Sequence, residues 1–225
     1  MDHLGIAEGS VVADLGAGGG WFTIRLARRV GPNGRVYAQD IQPEMIGAIE
    51  RRVKLEGLKN VQTVLGTASD PQLPTPVDVV LIVEAYYEMG DPQTLLRNVR
   101  KSLRPGGRVG IVESTKNGHG PGPPMEERVD PERVIRDAEA AGLELHSRGN
   151  FLRYQYLLEF VAAPTRGAHS APAPRNPQRV LFARWGGRDR RAQGSPPLEV
   201  CQSALTEVGR AQTTEPESGA EPRLE

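Results

Sequence analysis

The chain of 225 residues contains a single cysteine, Cys201. One cysteine excludes an intrachain disulfide framework and a thiolate-built metal site. Acidic and basic residues are equal in number, so the zero formal charge gives no electrostatic reason to expect a nucleic-acid partner. No run approaches the ~18 consecutive apolar residues that span a membrane. The N-terminal stretch MDHLGIAEGS is unlike a signal peptide, so we expect a soluble, cytoplasmic protein without a membrane partner.

Segments typical of strands and helices alternate from residue 10 to about residue 161. Proline, aspartate and glycine mark several predicted helix ends, and residues 116–124 are too rich in glycine and proline for a regular element. Successive strand–helix steps predict an α/β fold with a doubly wound, mostly parallel sheet and an added hairpin at one edge. Predicted strands occupy 10–16, 35–41, 61–66, 77–87, 108–115, 143–147 and 154–162, and predicted helices occupy 21–31, 43–57, 91–107 and 130–145.

The composition changes after residue 163. Proline, glycine, serine and arginine dominate the remaining segment, which is typical of chain without a packed core. We therefore predict one domain over 1–163 and a mostly disordered tail over 164–225. Within that tail, 179–185 is an apolar segment that could dock on the domain, and 198–212 is compatible with a marginal helix.

Four glycines follow the first predicted strand within five positions, in the stretch VVADLGAGGGWFT. Such a loop at the carboxyl end of a parallel strand indicates a ligand close to the backbone. The dinucleotide pattern G-x-G-x-x-G fits poorly, because Trp21 or Thr23 stands where its third glycine belongs. The pattern D-x-G-x-G-x-G is complete, with Asp14, Gly16 and Gly18 followed by Gly20.

This loop resembles motif I of the class I S-adenosylmethionine-dependent methyltransferases. Three later stretches are similar to that family in the same order: DIQPEM, with Gln42 in place of a serine, then GTASDPQLP and LRPGGRVGIVE. The resemblance covers residues 4 to about 161. It implies a Rossmann-like seven-stranded sheet of order 3-2-1-4-5-7-6, with the last strand antiparallel. It also implies that the family's N-terminal lid helices are missing, since about nine residues precede the first strand.

The resemblance implies S-adenosylmethionine as the cofactor. The methionine end would lie against the glycine loop, Asp40 would accept from the ribose hydroxyls, and Ile41 would lie on the adenine face. Thr67 or Ala68 would meet the adenine edge, with Asp70 as a displaced substitute, and Asp14 would act indirectly. Tyr37 and Met45 are expected in the core. The expected cofactor residues are Asp14, Gly16, Ala17, Gly18, Asp40, Ile41, Thr67, Ala68 and Glu84.

The implied reaction is methyl transfer by in-line displacement at the sulfonium methyl group, which asks mainly for alignment and exclusion of water. Glu84 and Tyr87 are the candidate catalytic residues, and Tyr86 and Glu88 are expected to face the acceptor or, for the tyrosines, to pack under the next helix. His119 is either a base or ligand at the acceptor pocket, or a solvated loop residue. The four histidines show no metal-ligand spacing, so no metal is expected.

The acceptor is expected to be a small molecule, with a protein side chain as the second possibility. No NPPY-like stretch follows the fourth strand, and Cys201 lies outside the domain, which disfavours methylation of DNA bases. Two alternatives stay open: a non-catalytic module that binds S-adenosylmethionine, and a nicotinamide-dependent oxidoreductase.

Overall fold

The computed structural model describes residues 1–117 and 120–163. Its elements follow each other along the chain as a 3₁₀ turn at Asp2–Leu4, β1 Val11–Leu15, α1 Trp21–Val30, β2 Arg35–Asp40, α2 Pro43–Leu55, β3 Val61–Leu65, β4 Val77–Val83, a 3₁₀ turn at Tyr86–Glu88, α3 Pro92–Lys101, β5 Leu103–Ser114, α4 Pro131–Ala140, β6 Leu143–Gly149 and β7 Gln155–Ala162.

The strands form one sheet of order β3-β2-β1-β4-β5-β7-β6, which confirms the expected topology. The first five strands pair in parallel, and β7 runs antiparallel to both β5 and β6. The direction of winding reverses between β1 and β4. In open α/β sheets the crevice beyond the carboxyl ends of such strands is the place where ligands bind.

Alternating side chains of the central strands supply two cores. Leu15 and Ile82 belong to the core shared with α3 and α4, whereas Val12 and Leu81 belong to the core shared with α1. This alternation follows from the two-residue period of a strand, and it explains why β4 is apolar along its length. Both faces of the sheet are covered, so the carboxyl ends of the strands are left as the accessible edge.

Several predicted boundaries are wrong. The last helix ends at Ala140 rather than at residue 145, because a turn at 141–142 leads directly into β6. The fourth strand ends at Val83 rather than at residue 87, because Glu84 has a left-handed φ of 49° and a 3₁₀ turn follows. The third helix ends at Lys101 and β5 begins at Leu103, although a helix to 107 and a strand from 108 were predicted. Pro105 cannot donate to a helical hydrogen bond, and an irregular register with β4, between the pairs Val77–Leu103 and Val79–Arg108, accommodates residues 104–107 within β5.

None of the helices in the described residues is long and apolar enough to cross a membrane. His119 and the tail segments 179–185 and 198–212 lie outside the described residues. The proposed boundary between 163 and 164 stays a prediction.

Candidate functional site

A cavity of about 260 Å³ lies at the carboxyl ends of β1, β2 and β4. Seven of the nine expected cofactor residues line this cavity. Ala17 instead lines a second cavity of about 470 Å³ at the glycine loop, together with Arg51 and Arg52. Asp14 lines neither. The first cavity is lined by Leu15, Gly16, Gly18, Gln39, Asp40, Ile41, Gln42, Met45, Thr67, Ala68, Glu84, Ala85, Glu88, Met89, Gly90 and Leu95.

Gly16 brings the loop after β1 against the turn after β4. Its φ is 65°, and a Cβ added there would stand 2.6 Å from the Ala85 Cβ atom. Gly18 also has a positive φ, 51°, but no atom lies within 4 Å of its added Cβ. Close packing therefore requires glycine at position 16, whereas backbone conformation alone requires it at position 18.

Asp40 connects the glycine loop to the start of α2. Its side chain is 5% exposed, and its Oδ2 atom accepts from the Gly18 N–H at 2.9 Å while Oδ1 accepts from the Gln42 N–H at 3.0 Å. The Ala17 N–H donates to the Gln39 carbonyl at 2.9 Å. The loop N–H groups of residues 17 and 18 are thus engaged within the protein. A carboxylate has about four lone-pair positions, so Asp40 retains capacity for hydroxyl donors from the cavity.

Asp14 lies beneath the loop rather than in the cavity. The Thr23 hydroxyl donates to its Oδ2 atom at 2.6 Å, which joins the end of β1 to the first turn of α1. Burial raises the pKa of the Asp14 carboxyl to about 6. This position agrees with the indirect role expected for Asp14.

The β2–β3 side of the cavity is partly apolar. Ile41 is 53% exposed, and Met45, which was expected in the core, lines the cavity from α2. Met45 follows Asp40 at the spacing of the family's D-x-S-x-x-M pattern, and that spacing was the available signal. Tyr37 is buried as expected, with its hydroxyl 2.9 Å from that of Thr75.

The Thr67 and Ala68 backbone borders the same side. The Thr67 hydroxyl accepts from the Asp70 N–H at 3.0 Å, and the Asp70 carboxylate accepts from the Gln72 N–H at 2.8 Å. Asp70 is not among the residues that line the cavity.

Glu84 forms the cavity wall at the end of β4. Its Oε1 atom accepts from the Ser114 hydroxyl at 2.7 Å and from Gln155 Nε2 at 2.5 Å. Its Oε2 atom is buried and has no hydrogen-bond partner among the described residues. Burial raises the pKa of the Glu84 carboxyl.

A second buried carboxyl, Glu113, lies behind Glu84 and was not among the predicted site residues. Its Oε1 atom accepts from the N–H groups of Ala85 and Tyr86 at 3.0 and 2.7 Å. Burial, and then the nearby charge of Glu84, raises the pKa of Glu113 to about 8. A glutamate inside an apolar strand was the available sequence signal for this residue. Its hydrogen-bond partners lie 27 and 28 residues away in the sequence, so no local pattern connects it to them.

The two tyrosines after Glu84 have different surroundings. Tyr86 was expected to face the acceptor or pack under a helix; it is 2% exposed, and its hydroxyl donates to Asp137 of α4 at 2.7 Å. The acceptor-facing alternative is therefore wrong for Tyr86.

Tyr87 does not line the first cavity. It lines a neighbouring cavity of about 560 Å³ with Glu88, Lys116, Glu126, Glu127, Arg128, Val129, Asp130 and Arg133.

The first cavity is acidic. Asp40, Glu84 and Glu88 line it, and its described lining residues include no lysine, arginine or histidine. A pyrophosphate in this cavity would be close to the Glu84 carboxylate, which disfavours a dinucleotide there. A ligand with hydroxyl groups, an apolar face and positive charge fits the donor and acceptor groups present.

Comparisons with known proteins agree with this geometry. The methyltransferase domain family model matches residues 12–107. A demethylmenaquinone methyltransferase of Geobacillus stearothermophilus is 33% identical over 119 residues, which cover 52% of this chain and 50% of that protein. An arsenite methyltransferase of Halobacterium salinarum is 34% identical over 109 residues, 48% of this chain and 28% of that protein. The chain thus spans about half the length, or less, of these curated relatives.

A solved structure agrees over a larger share of the chain. The crystal structure of a SAM-dependent methyltransferase from Aquifex aeolicus has a TM-score of 0.65 and 27% identity, and the match covers 71% of this chain and 85% of that one. The sheet order, the complete glycine-loop pattern and the acid at the end of β2 all agree with these matches. The chain is therefore similar to S-adenosylmethionine-dependent methyltransferases, in sequence over residues 12–107 and in fold over 71% of its length.

Proposed function

We propose that the chain binds S-adenosylmethionine in the cavity beside the glycine loop and catalyses methyl transfer to a small-molecule acceptor. The observation that carries this proposal is the set of three carboxylates in a cavity whose described lining has no cationic side chain. The cofactor's sulfonium and ammonium groups are positively charged, so these carboxylates favour it over a dinucleotide.

Different lining residues of the cavity suit the ribose, the adenine and the methionine end of the cofactor. The Asp40 carboxylate is assigned to the ribose hydroxyls, because it is fixed by two backbone donors and keeps free acceptor positions. Ile41 and Met45 supply the apolar contact for adenine, and the backbone at Thr67 and Ala68 borders its edge. The backbone at Gly16 and the carboxyl group of Glu84, which both line the cavity, are assigned to the methionine end.

When bound, the cofactor supplies an activated methyl group, so the chain's residues need to orient the two reactants and exclude water. Glu84 fixes the charged end of the cofactor from a buried position. Tyr87 borders the adjoining cavity; burial raises the pKa of its phenol well above the usual range, so the hydroxyl stays protonated near neutral pH. We assign Tyr87 the role of a hydrogen-bond donor to the acceptor rather than that of a general base.

The proposed acceptor class is supported by the relatives and by the 560 Å³ cavity at Tyr87. The relatives are named for methylation of demethylmenaquinone and of arsenite, two chemically different small molecules. The cavity at Tyr87 and Glu88 adjoins the cofactor cavity through Glu88, which lines both. A small molecule that enters there would approach the cofactor from the β4–β5 side. A protein side chain is the second acceptor class.

Calorimetric titration of the full chain with S-adenosylmethionine, S-adenosylhomocysteine and NAD tests the cofactor assignment. We expect micromolar binding of the first two ligands and none of NAD. Asp40→Asn should weaken binding by ~10- to 100-fold, since a charge-assisted hydrogen bond contributes roughly 1.5–3 kcal/mol. Asp2→Asn is the matched control, because Asp2 is exposed and lies outside the cavity.

Equal affinities of the two variants would contradict the assignment of Asp40, and NAD binding alone would overturn the cofactor proposal. Release of S-adenosylhomocysteine in the presence of small acceptors such as quinols or arsenite then tests catalysis. Cofactor binding without turnover on any small or protein acceptor would favour the non-catalytic module.

A further inference from the structure

Glu113 fixes the backbone that presents Glu84 to the cavity. Glu84 has a φ of 49°, a conformation that an L residue adopts only when its surroundings hold it. The two residues that follow, Ala85 and Tyr86, both donate their N–H groups to Glu113 Oε1. The next residue of β5, Ser114, donates to Glu84 itself. The end of β5 therefore determines where the Glu84 carboxylate lies.

Glu84, which is half-buried, and Glu113, which is fully buried, also form a pair of neighbouring carboxyls. Each has one buried Oε2 atom without a hydrogen-bond partner among the described residues. Two neighbouring carboxylates that are both withheld from water resist simultaneous ionisation. A proton retained by the pair makes one of these oxygen atoms a donor and removes one negative charge from the core.

The surrounding groups favour a proton on Glu113 rather than on Glu84. Glu84 accepts two hydrogen bonds from side chains, and the Arg128 guanidinium before α4 favours its charged form. Glu113 faces the charges of Glu84 and Glu88. The phenols of Tyr87 from the 3₁₀ turn and of Tyr156 from β7 complete the titratable groups around the pair, and burial raises the pKa of both, so they remain neutral.

We propose that Glu113 is a positioning residue that couples cofactor binding to proton release: entry of a cationic ligand beside Glu84 drives the proton of the Glu84–Glu113 pair into solvent. This inference rests on the proposed function. The positive charge stabilises the doubly ionised pair, so the Glu113 O–H bond breaks and the proton passes to the buffer. S-adenosylmethionine carries a sulfonium charge that S-adenosylhomocysteine lacks, so the first ligand should release more protons than the second.

Calorimetry of the full chain at pH 7, in buffers of different ionisation enthalpy, measures the protons released on binding. We expect release approaching about one proton for S-adenosylmethionine in the unsubstituted chain, with affinity that rises up to about tenfold per pH unit below pH 8. Glu113→Gln keeps a carbonyl oxygen for the Ala85 and Tyr86 N–H groups but cannot carry the proton. Its binding should release none and should vary little with pH.

Glu159→Gln is the matched control: Glu159 is equally buried, but it is paired with Arg108 and Ser147 away from the cavity, and its variant should release as many protons as the unsubstituted chain. A purely structural role for Glu113 would weaken binding equally at every pH and leave the pH slope unchanged, which would overturn the proposal.

The unsubstituted chain decides the question even if Glu113→Gln fails to fold. Binding without proton release, at an affinity independent of pH between 6 and 8.5, would overturn the coupling while the proposed function stands. Failure of both S-adenosylmethionine and S-adenosylhomocysteine to bind the folded chain at any pH would overturn both.

Discussion

The hydrogen bonds that fix the two sides of the crevice differ in the sequence separation of the residues they join. On the β1–β2 side, the hydrogen bonds of Asp14 and Asp40 join residues 2 to 22 positions apart. On the β4–β5 side, the bonds of Glu84 and Glu113 join residues 27 to 71 positions apart. The first side is therefore a property of one continuous segment, whereas the second exists only after the sheet has formed. Substitutions on the two sides should have different consequences.

Glycine substitutions are the strongest test, because Gly16 is the point where the two sides touch. Gly16→Ala should lower the free energy of unfolding by about 2–5 kcal/mol, through the left-handed backbone and the overlap with the Ala85 Cβ atom. Gly18→Ala has the same backbone conformation but open space, so it should cost about 1–2 kcal/mol. Urea denaturation of both variants measures the difference. Equal costs would mean that the two sides are not in close contact.

The second test uses the pH dependence of the free energy of unfolding, to which Glu113 contributes on the β4–β5 side. The pKa of folded Glu113 is raised to about 8, above its ordinary value of 4.5, so the folded chain holds a proton that the unfolded chain has released. Stability from this group is therefore full below about pH 4.5 and is lost as the pH rises towards 8. The slope of the free energy of unfolding should approach about −1.4 kcal/mol per pH unit near pH 6.5 and fall to about half of that at pH 8.

Glu113→Gln should flatten this decline, and Glu159→Gln should leave it unchanged. Asp14, whose pKa is raised to about 6, contributes its own loss of stability mainly below this window, so denaturation curves at pH 6.5, 7.2 and 8 report mostly on Glu113. A parallel decline in the Glu113→Gln variant would assign the titration to another group.

The difference between the two sides also explains which parts were predictable. Asp14, Gly16, Gly18 and Asp40 lie in short patterns that the sequence presents intact, and the alternation of strands and helices is equally local. The end of β4 was predicted four residues too long because its apolar run continues through Ala85 and the tyrosines. The left-handed turn that ends it depends on Glu113, which no local pattern connects to Glu84.

Tyr86→Phe probes the packing of the β4–β5 side away from the cavity. The phenol donates to Asp137 at 2.7 Å inside the core between the 3₁₀ turn and α4. Its removal should lower the free energy of unfolding by about 1–2 kcal/mol, because it withdraws a buried donor from a carboxylate. Affinity for S-adenosylmethionine should not change by more than about twofold, since Tyr86 does not line the cavity. A large loss of affinity would show that α4 and the cavity are coupled.

Tyr87→Phe should have the smallest effect on stability and the most specific effect on function. The side chain is partly exposed and borders the 560 Å³ cavity, so its hydroxyl should contribute less than about 0.5 kcal/mol to stability. If that hydroxyl donates to the acceptor, the variant should raise the KM for the acceptor or lower kcat by roughly 5- to 15-fold while leaving cofactor affinity intact, as expected for one neutral hydrogen bond. Because the phenol stays protonated, the pH profile of kcat should be the same in both proteins. If the kcat profile instead has a pH-dependent change at high pH that disappears in Tyr87→Phe, Tyr87 acts as a base. The proton transfer would then take place on the β4–β5 side of the crevice, which forms only after the sheet has assembled.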